Sequence, residues 1–327
     1  MKLKMLKLSA LLLFVATAFI SCDDDDNNNT TPQNTIVDVA SANSDFSILV
    51  QALTRADLVS TLDGSGQFTV FAPTNDAFNR FLQANNFSSI NAVPVATLKQ
   101  VLLNHVIAGT VARSTNLTTG YVKTEATGSA SSTSKISMFI NTSGGVTING
   151  GIDNGGAVVN TADVAASNGV IHIVNRVIAL PTLVSHVKAN PDFDTLETVL
   201  TTNTFGDQSA VAAALSANTS PLTVFAPDNA AFTAATTGTG FAVGATAAQV
   251  TKVLQYHVTS GNVLSTQLSD NLPVPMITNP AQNITINVTG GARITDQAGN
   301  TSNITAVDIQ AANGVIHKIS RVLQPAL

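Results

Sequence analysis

The chain has 327 residues, of which 44% are hydrophobic and 11% charged, with a formal net charge of −5, one cysteine and no tryptophan. An acidic, aromatic-poor chain without a basic block excludes nucleic-acid binding, because neutralising phosphates needs clustered Lys and Arg. A lone cysteine excludes an internal disulfide, so packing alone must hold the fold, and about 300 residues commonly make two domains.

At the amino terminus, Lys2, Lys4 and Lys7 precede an apolar run from Leu8 to Ile20. The run is too short to span a bilayer comfortably and has the layout of a secretory signal, assigned to residues 1–21. Phe19-Ile20-Ser21-Cys22 is similar to a bacterial lipobox, with Phe19 in place of the usual leucine. Cys22 is therefore the expected lipidation site and the N-terminal lipid the expected contact with a membrane. Acyl chains contribute roughly 0.8 kcal/mol per buried CH₂, so two or more anchor stably where one binds reversibly. Signal removal takes away three lysines and no acid, moving the net charge from −5 to −8. Residues 22–33, containing Asp23 to Asp26 and Asn27 to Asn29, read as a disordered acidic tether with a reach of about 20 Å. An acidic run directly after the cysteine resembles the surface-export signal of some Gram-negative lipoproteins. It implies an exported protein, lipid-anchored in the outer membrane and exposed at the cell surface; a solvated spacer is the alternative.

The first unit is assigned to residues 34–180. Phe46, Leu49, Val50 and Leu53 have helical spacing, and Asp57 to Leu62 reads as a second short helix closed by Asp63-Gly64. A strand from Gln67 to Ala72 stops at Pro73, which cannot donate to a ladder, and a helix from Asn75 to Gln83 follows with Thr74 as its N-cap. After Pro94, Leu98, Val101, Leu102 and His105 share one helical side. From Tyr121 onward the pattern turns to strands, at Ile136 to Ile140, Val146 to Ile148, Ala157 to Val164 and Val170 to Ile178. Asn168-Gly169 reads as a hairpin turn because both residues tolerate positive φ. Helices first and strands after indicate α+β and not alternating α/β.

The second unit, residues 181–327, repeats this order. Thr69 to Phe78 and Thr223 to Phe232 agree at eight of ten positions. The His105 segment recurs around His257, and Asn168-Gly169-Val170-Ile171-His172 recurs as Asn313-Gly314-Val315-Ile316-His317. The offsets run from 145 to 154 residues, which marks a duplicated domain and not a short-period solenoid. Opening helices are expected at Leu183 to Val187 and Phe193 to Leu200, and strands at Ile284 to Val288, Arg293 to Thr295, Ile304 to Ile309 and Val315 to Val322. A seven-residue surplus falls around Gly206 to Ser220. Val177 to Pro181 passes from one unit into the next without a flexible linker, so limited relative freedom is expected.

The Thr-Val-Phe-Ala-Pro-x-Asn-x-Ala-Phe stretch, the histidine at the end of the following helix, and the closing Asn-Gly-Val-Ile-His segment resemble the fasciclin (FAS1) domain. The resemblance covers nearly all of the chain after about residue 34 and is of the bacterial surface-lipoprotein type. It implies a β-sandwich or wedge decorated with helices, used in adhesion and matrix interactions at cell surfaces, with no established enzymatic activity. The expected partners are protein or glycan ligands at the cell surface, with a periplasmic or surface glycan-binding accessory role as the alternative. A Tyr-His pair of some fasciclin domains is implicated in receptor binding on animal cells; only Tyr256-His257 matches it, Asn104-His105 standing in the first unit.

No His-x-x-x-His, Cys-x-x-Cys or Glu-x-x-His spacing and no Gly-x-Ser-x-Gly elbow occurs, so no catalytic residue, cofactor or metal is assigned. His105 and His257 are expected to tie backbone groups together at a helix-to-strand junction. Core or edge packing is expected of His172 and His317, and hydrogen-bond acceptance from a neighbouring strand of Asp163 and Asp308. Asn75 and Asn229 are expected to satisfy backbone groups around the strand-to-helix turn.

Overall fold

The structure, a computed structural model, describes residues 34–237 and 245–326. The signal segment, Cys22 and the tether lie outside the described residues.

The first repeat opens with α1 (Ile36–Ala42), α2 (Ser47–Arg55) and α3 (Val59–Asp63). Thr35 starts α1 with a capping box: its side chain accepts from Asp38 N, and Asp38 in turn accepts from Thr35 N, so two orphan donors are satisfied reciprocally. Helix α2 buries Leu49, Ala52 and Leu53, as its spacing predicts. Strand β1 (Phe68–Pro73) is buried at every position. At its end Thr74 caps α4 (Asn75–Ala84), the hydroxyl accepting from Ala77 N at 3.3 Å. Helix α5 (Val95–Leu103) and the strands β2 (Val106–Ala108), β3 (Gly120–Gly128), β4 (Ser131–Asn141), β5 (Thr147–Ile148), β6 (Ala157–Ala166) and β7 (Gly169–Val174) complete the repeat.

The second repeat follows the same plan. Its helices are α6 (Leu183–Ala189), α7 (Asp194–Thr201), α8 (Ser209–Ser216), α9 (Asn229–Thr237) and α10 (Ala247–Gln255), with β8 (Leu222–Pro227) between α8 and α9. After α10 come β9 (Val258–Ser260), β10 (Leu272–Pro275), β11 (Asn283–Asn287), β12 (Arg293–Thr295), β13 (Thr301–Ala311) and β14 (Gly314–Ile319). The surplus residues hold α8, which takes the place of α3.

Each repeat has one seven-stranded sheet, ordered β2-β1-β7-β6-β5-β4-β3 and, in the second, β9-β8-β14-β13-β12-β11-β10. All neighbours are antiparallel except β1 with β7 and β8 with β14. Those two parallel pairs join the helical half of a repeat to its strand half. Alternation along β1 then divides the core. Phe68, Val70 and Ala72 face the helices, with Phe46, Phe78 and Leu98, while Phe71 faces a second cluster with Met138, Ile140 and Ile148 inside the fold of the sheet. The second repeat reproduces both, Val224 and Phe232 on the helical side and Phe225 with Ile284, Ile286 and Ile294 on the other. A helix-covered wedge results, an α+β fold.

The Asn-Gly turns form for a different reason from the one read in the sequence. Neither Asn168 nor Gly169 has positive φ. A Cβ on Gly169 would instead lie 2.1 Å from Phe68 O, and one on Gly314 2.1 Å from Leu222 O, so glycine is required by the close approach of the parallel strands. Asn168 acts through its side chain. Its Oδ1 accepts from Ile36 N at 2.9 Å, and its Nδ2 donates to Leu62 O and Gly64 O, fastening α1 and α3 to the β6–β7 turn. Asn313 repeats this with Leu183 N, Leu215 O and Ala217 O.

Gly169→Ala and Gly314→Ala should each destabilise the protein by about 1–3 kcal/mol, the usual range for forced overpacking. Gly64→Ala, with neighbours at 3.5 Å and negative φ, should change the urea midpoint little. Equal effects of all three would show that backbone approach is not what selects glycine.

Candidate functional site

Matched histidines form two pairs of nodes. At the end of α5, His105 Nδ1 lies 2.7 Å from Val101 O and Nε2 accepts from Ile178 N at 2.8 Å. A carbonyl can only accept, so Nδ1 carries the proton. His257 does the same at the end of α10, with Val253 O at 2.8 Å and Leu323 N at 2.9 Å. Each ring thus joins a helix end to the segment leaving the last strand of its repeat. Burial pushes both imidazoles down to about 4, their carbonyl contacts opposing this only in part.

His172 and His317 make the second pair. His172 donates from Nε2 to Ala112 O at 2.9 Å and stacks on Phe71 at 5.4 Å. His317 donates to Val263 O at 2.9 Å and stacks on Phe225 at 5.6 Å. Opposite them, Asp163 and Asp308 stand at bulges with φ of 63° and 58°. Their carboxylates accept from the backbone N–H and hydroxyl of Ser114 and Ser265 respectively. The serine bonds hold the Asp163 carboxyl below the usual carboxylate range. These aspartates bind a loop between β2 and β3, or between β9 and β10, and not a neighbouring strand.

Asn75 and Asn229 also reach further than the turn they stand in. Asn75 accepts from Ile48 N at 2.9 Å and donates to Ser44 O, while Asn229 accepts from Thr195 N and donates to Pro191 O. Both fasten α4 or α9 to the opening helices. Among the described residues no three His, Cys, Asp or Glu side chains gather as a metal site.

Asp308 apart, the residues that meet between the repeats differ in type from their counterparts in the repeat pattern or have none. The β3–β4 hairpin extends onto the second repeat, where Ala130 N and Ser129 Oγ donate to Ala312 O at 2.8 and 3.0 Å. Ser137 Oγ accepts from Gln310 N at 3.0 Å, and Lys123 Nζ donates to Asp308 O at 2.7 Å. A Cβ on Gly128 would fall 2.4 Å from Ala312 Cα, so the hairpin tip must be glycine. Tyr121 packs on the core of the second repeat and meets His186 edge-on at 5.4 Å. His186 is fully buried, donates from Nε2 to Gln310 O at 3.1 Å, and has no partner at Nδ1. Burial, with Lys123 adding to it, pushes this ring down to about 4. Thr35 and Thr182 cap α1 and α6, so His186 stands where the first repeat has Val39. Strand register places Tyr121 and Lys123 where the second repeat has Pro273 and Pro275. Departure from the repeat was the available sequence signal for this junction.

The fasciclin domain model matches residues 44–181 and 192–325. The chain belongs to the fasciclin domain family. Protein sll1483 of Synechocystis is 39% identical over 147 residues, 45% of this chain and 74% of that protein. Transforming growth factor-beta-induced protein ig-h3 of Sus scrofa is 32% identical over 157 residues, 46% of this chain but 20% of that protein. The FAS1 domain pair of the insect cell adhesion molecule fasciclin I superposes over 85% of this chain and 92% of the other with a TM-score of 0.48 and 19% identity.

Within this fasciclin pair, Tyr256 and His257 are 0% and 4% exposed. Tyr256 Oη donates to Asn283 O at 2.8 Å and accepts from Gln297 N at 3.1 Å, and burial pushes the phenol up to about 12. A receptor could touch this pair only after local opening. His257→Ala should leave Leu323 N unpaired, Val253 O keeping its bond from Tyr256 N, at about 1–3 kcal/mol for the buried donor, and a variant with the wild-type melting temperature would contradict the tie.

Acid should weaken the fold through these rings. His105, His186 and His257 titrate near 4 in the folded chain and near 6.5 when unfolded. Their contribution is therefore complete above about pH 6.5 and is lost as pH falls towards 4. Urea midpoints measured from pH 7.5 to 4.5 should fall steadily; a flat profile would mean that the rings are not buried and neutral.

Proposed function

We propose that the protein is a lipid-anchored cell-surface interaction protein that binds extracellular or matrix partners through its two fasciclin repeats. Fasciclin domains occur in adhesion and extracellular-matrix proteins, and the matched histidines, aspartates and asparagines of this chain are committed to backbone ties. That commitment favours recognition by surface over catalysis by side chains. The observation that carries the reading is the tandem family match standing behind Phe19-Ile20-Ser21-Cys22 and Asp23 to Asp26. Cys22 supplies the anchor, the acidic run holds the pair away from the membrane, and many weakly binding copies on one surface act together.

Protease treatment of intact cells tests the placement. The repeats should disappear from intact cells while a periplasmic control survives, and Cys22→Ala should move the protein into the soluble fraction. Protection until lysis would remove direct adhesion and leave an envelope role.

A further inference from the structure

The two repeats differ in what covers one strand edge. In the second, pairing of β13 with β12 ends at Asn303, and the first repeat's hairpin covers the edge beyond it through Asp308 O, Gln310 N and Ala312 O. In the first, pairing of β6 with β5 ends at Val158. The edge beyond it has the same bulge, at Asp163 in place of Asp308, and the same register, Ala165 opposite Val170 as Gln310 is opposite Val315. Among the described residues no hairpin lies on it. Ala165 and Ser167 are exposed, and Ser167 O, the counterpart of Ala312 O, accepts no hydrogen bond from the described residues. An open groove of about 550 Å³ runs alongside, lined by Asp63, Gln67, Arg113, Ala165, Ser167 and Gly169.

Among the described residues there are therefore two edges of one design and a single long hairpin of the β3–β4 kind. The second repeat's own hairpin cannot serve as another. Strand β10 stops at Pro275, level with Lys123, whereas β3 continues to Gly128. Uncovered strand edges invite pairing with another chain, and here the bulge restricts which chain fits. It turns the edge away from a flat strand while leaving it open to a hairpin tip approaching as Gly128 to Ala130 approaches Ala312.

We propose that the free β6 edge of the first repeat, Asp163 to Ser167, receives the β3–β4-type hairpin of a fasciclin repeat on a separate polypeptide. Its partner is thus another fasciclin protein with a long hairpin, a small-residue tip and a cation placed to reach Asp163 O. The inference rests on the repeats being interaction modules and is independent of the lipid anchor, so cell-shaving results do not bear on it.

Ala312→Arg evicts the chain's own hairpin and makes it available in trans. In sedimentation velocity the wild type should remain a monomer, Ala312→Arg should associate with rising concentration, and adding Ser167→Arg should restore the monomer. A folded Ala312→Arg that stays monomeric, or association that survives Ser167→Arg, would overturn the proposal. Should Ala312→Arg not fold, a cyclised peptide of residues 121–139 titrated into the wild-type protein decides. Saturable binding that Ser167→Arg abolishes supports the proposal, while no saturation by about 1 mM peptide, or equal binding to both proteins, refutes it.

Discussion

The parallel pairing of β1 with β7, and of β8 with β14, is the contact on which each repeat depends, because it builds a strand of the helical half into the sheet of the strand half. Phe68 pairs with Gly169 across more than half of the repeat's length, and Leu222 pairs with Gly314 likewise. A parallel pair cannot be made by a tight turn and needs a long crossover; here helices and antiparallel strands together form it. The other matched polar residues guard this seam. Asn168 and Asn313 hold the opening helices to the turn before it. His105 and His257 fix the chain after it, and His172 and His317 lie within it. Six polar side chains are thereby kept inside two small cores with their hydrogen bonds made, which is what allows them to be buried.

Attachment of the two repeats follows a different logic, since, Asp308 apart, it uses residue types that the duplication does not share. Tyr121, Lys123 and Gly128 belong to the first repeat's strands but meet His186, Asp308 and Ala312. Ala126 and Ile136 are fully buried in a cluster with Ala312. The junction is thus an extension of the core, with an apolar centre and backbone hydrogen bonds, and both repeats fall within one compact unit.

Much of this was legible in the sequence, and the limits are instructive. Thr74 and Asp228 were readable as caps because capping is a matter of residues three apart, and both accept from the N–H three positions on. The β-strand that ends at Pro73 and the duplicated order were readable for the same local reason. The ties of Asn75, Asp163 and Asn168 were not, because their partners lie from 27 to 132 residues away and no spacing encodes them. Gly169 illustrates the difference well. Its identity was noticed and its turn correctly placed, yet the cause was a carbonyl on a strand a hundred residues earlier. Tyr256 and His257 were read from a motif that carries no information about exposure, and their burial follows from tertiary packing, α10 lying on the helical side of the sheet while Tyr256 at its end enters the inner cluster.

Pro273 and Pro275 in β10 have a consequence at the scale of assemblies. Prolines have no N–H to offer an approaching chain, and the strand that holds them is too short to reach beyond its own sheet. In polymer terms the pair has a valence of one: an acceptor at its first repeat and no donor at its second. Such a unit can end a stack of fasciclin repeats but cannot lengthen one, and many copies of it stay separate molecules, each able to close the end of a partner's array.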